Sequence, residues 1–265
     1  MRSLKSLFEL KYRVALITGG AGHIGRAICE TLAEQGASVV VLDRNGADIV
    51  ADDIRNRYGI NSIGMNVDLA DEDSVRKVPE QIVHKFGRFD ILVNNAAFVG
   101  SSDLQGWAVP FQDQKAETWR KAMEVNLTSA FVLCQAAATF LAQGSRGSII
   151  NISSVYGVLG PDWRLYENTE MGNPAAYAVS KGGMVQLSRW LATTLAPSVR
   201  VNTISPGGVF RDQPDSFREK YESRTPMGRM ATEEDFKGIV AFLASDASAY
   251  VTGQNILVDG GWSAW

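Results

Sequence analysis

Arg13-Val-Ala-Leu-Ile-Thr18 runs into Gly19-Gly-Ala-Gly-His-Ile-Gly25 and then into the helical pattern Arg26–Gln35, and this stretch decides the fold. The first six residues read as a short buried strand. The glycines after it let the backbone approach a pyrophosphate, whose charge is met by unpaired N–H groups and the positive end of a helix dipole. A second strand, Ser38-Val-Val-Val-Leu42, ends in Asp43, close to the ~20-residue offset expected of a carboxylate that accepts from an adenosine ribose 2′-OH. Asp43 favours NAD over NADP, because a carboxylate repels a 2′-phosphate. Arg44 beside it pulls the other way.

Outward from this unit the pattern repeats, with strands expected near 13–18, 38–42, 62–67, 90–93, 147–152, 199–204 and 255–258 and helices between them. Such alternation predicts a Rossmann-type α/β fold: a doubly wound parallel sheet of about seven strands with helices on both faces. The length of 265 residues suits a single domain spanning 1–265. The helical stretches Lys115–Ala142 and Pro174–Ala196 carry more apolar residues than one buried stripe requires, which either self-association as a homodimer or homotetramer or ordinary packing onto the sheet would explain.

Hydrophobic residues make up 45% and charged residues 21%, and the net charge of −3 leaves no basic field for nucleic acid. Arg2, Lys5 and Glu9 interrupt Met1–Leu10, so no signal-peptide core is expected there, and no membrane-spanning run is expected elsewhere; the reading is a cytoplasmic protein with a small-molecule substrate. Cys29 and Cys134 have neither metal-ligand nor disulfide spacing and read as core thiols.

The chemistry is signalled by Tyr177-Ala-Val-Ser-Lys181, which puts a phenol and an ammonium one helical turn apart on a shared face. A free phenol titrates near ~10, so proton exchange near neutrality needs about 4 kcal/mol of preferential phenolate stabilisation. Lys181 is its expected source.

Together these residues resemble the short-chain dehydrogenases/reductases, from Leu10 to Gly261, with Asp68-Leu69, Asn94-Asn-Ala-Ala97, Asn126, Ser153-Ser154, Pro206-Gly207 and Val251-Thr-Gly-Gln254 in family order. The resemblance implies a catalytic set of Asn126, Ser154, Tyr177 and Lys181. Tyr177 exchanges the proton of an alcohol, Ser154 holds the substrate oxygen, Lys181 favours the phenolate and binds the nicotinamide ribose, and Asn126 anchors a water that relays protons to solvent. It also implies cofactor contacts from Gly19, His23, Ile24 and Gly25 in the turn, Asp43 and Arg44 at the ribose, and Asp68 and Leu69 at the adenine. Asn95, Ala96, Pro206, Gly207 and Val209 complete them with Tyr177 and Lys181.

Three departures bear on specificity. His23 stands where the family motif has its middle glycine, which casts it as structural rather than catalytic. Arg211 replaces a threonine that often meets the nicotinamide carboxamide; its guanidinium suits a phosphate or carboxylate on the substrate, with a solvated surface arginine as the alternative. The separation of Ser154 and Tyr177 is 23 residues, longer than in many family members, because of an insertion at Gly160–Met171. Loops near 98–111, 157–173 and 208–226 are expected around the substrate, with Trp107, Trp163 and Tyr166 offering flat faces to a polyhydroxylated ring; a subunit contact is the alternative use of the insertion. Local strings such as Asn95-Ala-Ala-Phe-Val-Gly100 are similar to oxidoreductases of surface-glycan and flagellin modification. The expectation is an NAD-dependent alcohol/ketone oxidoreductase acting on a sugar or sugar phosphate. Polyol, steroid and acyl substrates, or a non-catalytic NAD-binding regulator, are the alternatives.

Overall fold

The computed structural model describes residues 1–99, 102–144 and 146–265. In chain order the elements are α1 (Leu4–Phe8), β1 (Val14–Thr18), α2 (His23–Glu34), β2 (Ser38–Asp43), α3 (Ala47–Tyr58), β3 (Ser62–Asn66), α4 (Glu72–Phe86) and β4 (Ile91–Asn94). They continue with α5 (Ala116–Met123), α6 (Ser129–Gln143), β5 (Gly147–Ile152), α7 (Ala175–Leu195), β6 (Val199–Pro206), α8 (Asp215–Arg224), α9 (Lys237–Ala244) and β7 (Asn255–Val258).

All seven strands pair in parallel, in the order β3-β2-β1-β4-β5-β6-β7. Side chains alternate along each strand, so β1 sends Ala15 and Ile17 to one face and Val14 and Leu16 to the other. The first face is covered by Ile28 and Leu32 of α2, Val50 and Ile54 of α3, and Val240 and Leu243 of α9. The second is covered by Val78 and Ile82 of α4, Leu133 and Leu141 of α6, and Leu191 of α7. Burial on both faces is why the strands read as unbroken apolar runs. Strand order reverses between β1 and β4, and the loops beyond their carboxyl ends diverge there to leave a crevice.

The expected strands are all present, with β6 running two residues further, to Pro206. The stretch 115–142 is not one helix: a π turn at Glu124–Thr128 separates α5 from α6 and carries Asn126 inward. Contrary to expectation, the helical run Ala116–Gln143 is long and apolar enough to cross a membrane. Much of that apolar character serves the second core, where Val132, Leu133 and Ala137 lie among the buried residues. Cys29 and Cys134 are buried free thiols, and burial pushes the Cys134 thiol up to about 12.

Candidate active site

A cavity of about 780 Å³ opens at the carboxyl ends of the strands. One half is built on the glycine turn. Gly19 adopts φ +63°, and a Cβ on Gly25 would stand 2.0 Å from the Gly19 carbonyl oxygen, so only glycine lets α2 begin so close to the strand end. The first N–H groups of α2, from His23, Ile24 and Gly25, have no partner within the helix and face this space. That cradle fits a pyrophosphate. Asn95, just after β4, secures it, its Nδ2 donating to the carbonyls of Thr18 (3.0 Å) and Gly19 (3.1 Å). The Thr18 hydroxyl accepts from the N–H groups of Asn95 and Ala96 at 3.0 and 3.1 Å.

Asp43 is already engaged, Oδ2 accepting from Ala21 N at 3.1 Å and Oδ1 from Arg44 N at 2.7 Å, so its carboxylate ties the end of β2 to the turn. Arg44 and Asp68 are exposed at the rim, with Leu69 beneath them. Pro206, Gly207 and Val209 close the far wall, where Gly207 N donates to Val258 O.

The other half contains the reacting groups. Ser154 caps a short 3-10 turn, its Oγ accepting from Tyr156 N at 3.2 Å. Tyr177 lies in the first turn of α7 with Lys181 one turn on, the ammonium 5.8 Å from the centre of the phenol ring. Lys181 Nζ donates to Ile152 O at 2.7 Å. Burial pushes the Tyr177 phenol up, and the influence that opposes it is hydrogen bonding by Ser154. Burial also pulls Lys181 down to about 8. The ammonium lies over the ring face and donates to a main-chain carbonyl, and desolvation is the largest influence on both groups.

Asn126 sits on the π turn between α5 and α6. It is fully buried, with Oδ1 accepting from Phe98 N at 2.7 Å and Nδ2 donating to Phe98 O and Ser180 Oγ at 3.2 and 3.1 Å. Ser180 Oγ donates in turn to Tyr177 O at 2.9 Å. The side chain thus braces the segment after β4 against the helix that carries the phenol.

Two aromatic expectations are corrected. Trp107 is buried, donates Nε1–H to Val99 O at 2.8 Å and packs with Ala122, Ala176 and Tyr177, so it lies behind the phenol and not in the cavity wall. Residues 100 and 101 of its loop fall outside the described residues. Trp163 is 57% exposed and likewise outside the wall, 5.7 Å from Tyr166, which does line it. Arg211 lines the cavity but is paired to Glu233 at 2.7 Å. Burial pushes Glu233 up; hydrogen bonds from its own backbone and from Arg211, with His23 nearby, bring it below its ordinary value. The Arg211–Glu233 pair therefore lies near His23 of the glycine turn.

The insertion packs on α8. Asp162 pairs with Arg224, Lys220 Nζ donates to Arg164 O at 2.8 Å, and the Tyr166 and Phe217 rings lie 5.5 Å apart. Sequence reasoning missed Tyr156, Asn173, Phe217, Tyr221 and Met230, all of which line the cavity. Tyr156, two residues after Ser154, and Asn173, four before Tyr177, could have been found by their nearness in sequence to the reacting groups.

Residues 19–263 match the family described as enoyl-(acyl carrier protein) reductase. The chain is 34% identical to the 3-oxoacyl-[acyl-carrier-protein] reductase FabG of Aquifex aeolicus, covering 96% of this chain and 98% of that one. It is 30% identical to post-translational flagellin modification protein A of Campylobacter coli, covering 96% and 99%. A crystal structure of gluconate 5-dehydrogenase from Burkholderia cenocepacia, in complex with NADP and tartrate, superposes with a TM-score of 0.88 at 30% identity over 99% of this chain and 100% of that one. With a doubly wound sheet, a glycine-lined cradle and a serine, tyrosine and lysine converging beside it, the chain belongs to the short-chain dehydrogenase/reductase family of nicotinamide-dependent oxidoreductases that act on CH–OH groups.

Proposed function

We propose that the protein is an NAD(H)-dependent oxidoreductase that interconverts a secondary alcohol and a ketone on a small polyhydroxylated, sugar-derived substrate. The observation that carries the chemistry is the convergence of Ser154, Tyr177 and Lys181 in one cavity beside the glycine cradle. The nicotinamide, when bound, takes or gives the hydride. Tyr177 moves the proton: its phenol is held protonated by burial, ready to donate to the oxygen of a ketone being reduced, and in the reverse direction it must receive the alcohol proton. The Ser154 hydroxyl donates to the substrate oxygen as charge develops there. Lys181 supplies the nearby positive charge and a donor for the ribose, and Asn126 fixes α7 from below.

Asp43 at the ribose end supports NAD over NADP, and the NADP held by the gluconate 5-dehydrogenase marks the alternative that a titration must exclude. The polar groups of the substrate half, Asn173, Gln213 and the Tyr156 hydroxyl among them, support a hydroxylated substrate. The sugar-acid and flagellin-modifying relatives lean the same way. A 3-oxoacyl thioester is the second reading, favoured by the FabG relative. Exposed Trp119, Phe131, Val179 and Trp190 on α5, α6 and α7 support a homodimer or homotetramer, and buried free thiols accord with a cytoplasmic setting.

The test is a spectrophotometric screen with NADH and NADPH against keto sugars, polyols, sugar phosphates and acetoacetyl-CoA. Turnover of a keto sugar or polyol with NADH supports the proposal. Turnover confined to the thioester replaces it.

A further inference from the structure

Among the residues that line the substrate half, Asn173 stands apart. It is 6% exposed, and neither Oδ1 nor Nδ2 has a hydrogen-bond partner. A buried amide left unpaired is destabilising, a cost that a bound ligand can remove. Its neighbours are the phenols of Tyr156 and Tyr166, whose oxygens lie 2.8 Å apart and share one hydrogen bond. Its amide lies against both phenols and draws their ionisation down by hydrogen bonding, without a well-formed bond to either.

The three groups define a chemistry. The amide offers donors and an acceptor side by side, and of the two phenolic hydrogens only one is used between the rings, so a second donor remains. Burial pushes both phenols up, which keeps them neutral at physiological pH. A neutral cluster with free donors and acceptors matches a hydroxyl, which needs both. A carboxylate would face the amide oxygen, and a bare methylene would leave the amide unpaired. The cluster lines the same cavity as Ser154, Tyr177 and Lys181, and Tyr166 lies near enough to raise the Tyr177 phenol.

We infer that Asn173, with the Tyr156–Tyr166 hydroxyl pair, is a specificity-determining subsite that reads a hydroxyl on the carbon adjacent to the one being oxidised, so that the enzyme selects vicinal diols over simple alcohols. This rests on the alcohol dehydrogenase reading above and narrows it. Selection by a site built to pair a substrate hydroxyl is steep, because the analogue lacking that hydroxyl leaves buried polar groups unmatched.

The experiment compares NAD⁺-dependent oxidation of 2,3-butanediol and 2-butanol by the full-length protein, alongside acetoacetyl-CoA reduction. The native enzyme is expected to prefer the diol by at least ~10-fold in kcat/KM. Asn173→Ala should lower kcat/KM for the diol at least ~10-fold more than for 2-butanol, and Tyr156→Phe should shift the ratio the same way. Thermal unfolding adds a readout that a structural asparagine would move downward: loss of an unpaired amide should leave Tm unchanged or raise it. An unchanged diol preference in Asn173→Ala overturns the subsite alone, as does a lowered Tm with selectivity intact. Absence of diol and alcohol turnover by the native enzyme, with acetoacetyl-CoA reduced, overturns the dehydrogenase reading and the subsite with it.

Discussion

The two halves of the cavity treat their polar groups in opposite ways. On the cofactor side Asp43, Asn95 and Thr18 are each spent on backbone partners within the protein. On the substrate side both polar atoms of Asn173 are buried without any partner. The first half is rigid before ligand arrives, so its selectivity lies in fixed shape and the lone pairs left over. The second stores unmet hydrogen bonding, which only a suitable substrate discharges. A cofactor common to a family calls for the former, and a substrate particular to one member calls for the latter.

Four substitutions or titrations break or sharpen this contrast. The largest effect belongs to Tyr177→Phe, which should lower kcat by at least ~10²-fold, the lower end for removing a general acid/base, while NADH affinity stays near native. Stopped-flow turnover beside a fluorescence titration would check it, and a parallel loss of NADH binding would erase the boundary between the halves. Next, the native protein should bind NADH at least ~10-fold more tightly than NADPH, about 1.4 kcal/mol. Asp43→Ala should narrow that gap and weaken NADH binding too, because the carboxylate also anchors Ala21 of the turn. If NADH binding instead held while the gap closed, the turn would not depend on Asp43.

Lys181 spans both halves and gives the third test. With its amine pulled down to about 8, the charge is present below that pH and lost above it. NADH dissociation constants should therefore be flat at lower pH and rise by a few-fold above about 8, and Lys181→Arg should abolish the rise. Tyr177, pushed up, remains protonated across this range, so ketone reduction at saturating cofactor should not show the same limb. The smallest effect is expected of Trp163→Ala: an exposed ring outside the cavity should change KM by less than about 2-fold, in keeping with a surface substitution. A tenfold rise would bring Trp163 into the substrate half after all.

The fold was legible in the sequence because both of its signals are local. Doubly buried parallel strands appear as runs such as Val39–Leu42, and the turn after β1 needs glycine where a Cβ would collide with a carbonyl. The reacting residues were legible for a similar reason, since Tyr177 and Lys181 share a helix turn. What failed was anything decided by which way a side chain faces in the assembled molecule. Trp107 and Trp163 both sit in loops beside the site, and nothing in their neighbours distinguishes an indole folded under the phenol from one left in solvent. The state of Asn173 was equally hidden, because lacking a partner is a property of everything around it. Asn126 kept its place near the site, but its side-chain partners follow from the π turn, which the sequence does not announce.

The burial of Trp107 bears on how this enzyme can change. Loops after the strands of such a sheet are ordinarily the exchangeable part, free to be lengthened or swapped while the scaffold holds the chemistry. Here the loop after β4 sends its indole beneath Ala176 and Tyr177, making it part of the seat on which the proton donor rests. A displacement of that donor by about 1 Å can cost ~10²-fold in rate. Grafting a foreign segment at 98–111 therefore puts catalysis at risk before it alters selectivity. New substrates are reached more safely through the insertion and α8, whose aromatic contacts belong to a packing cluster separate from that seat.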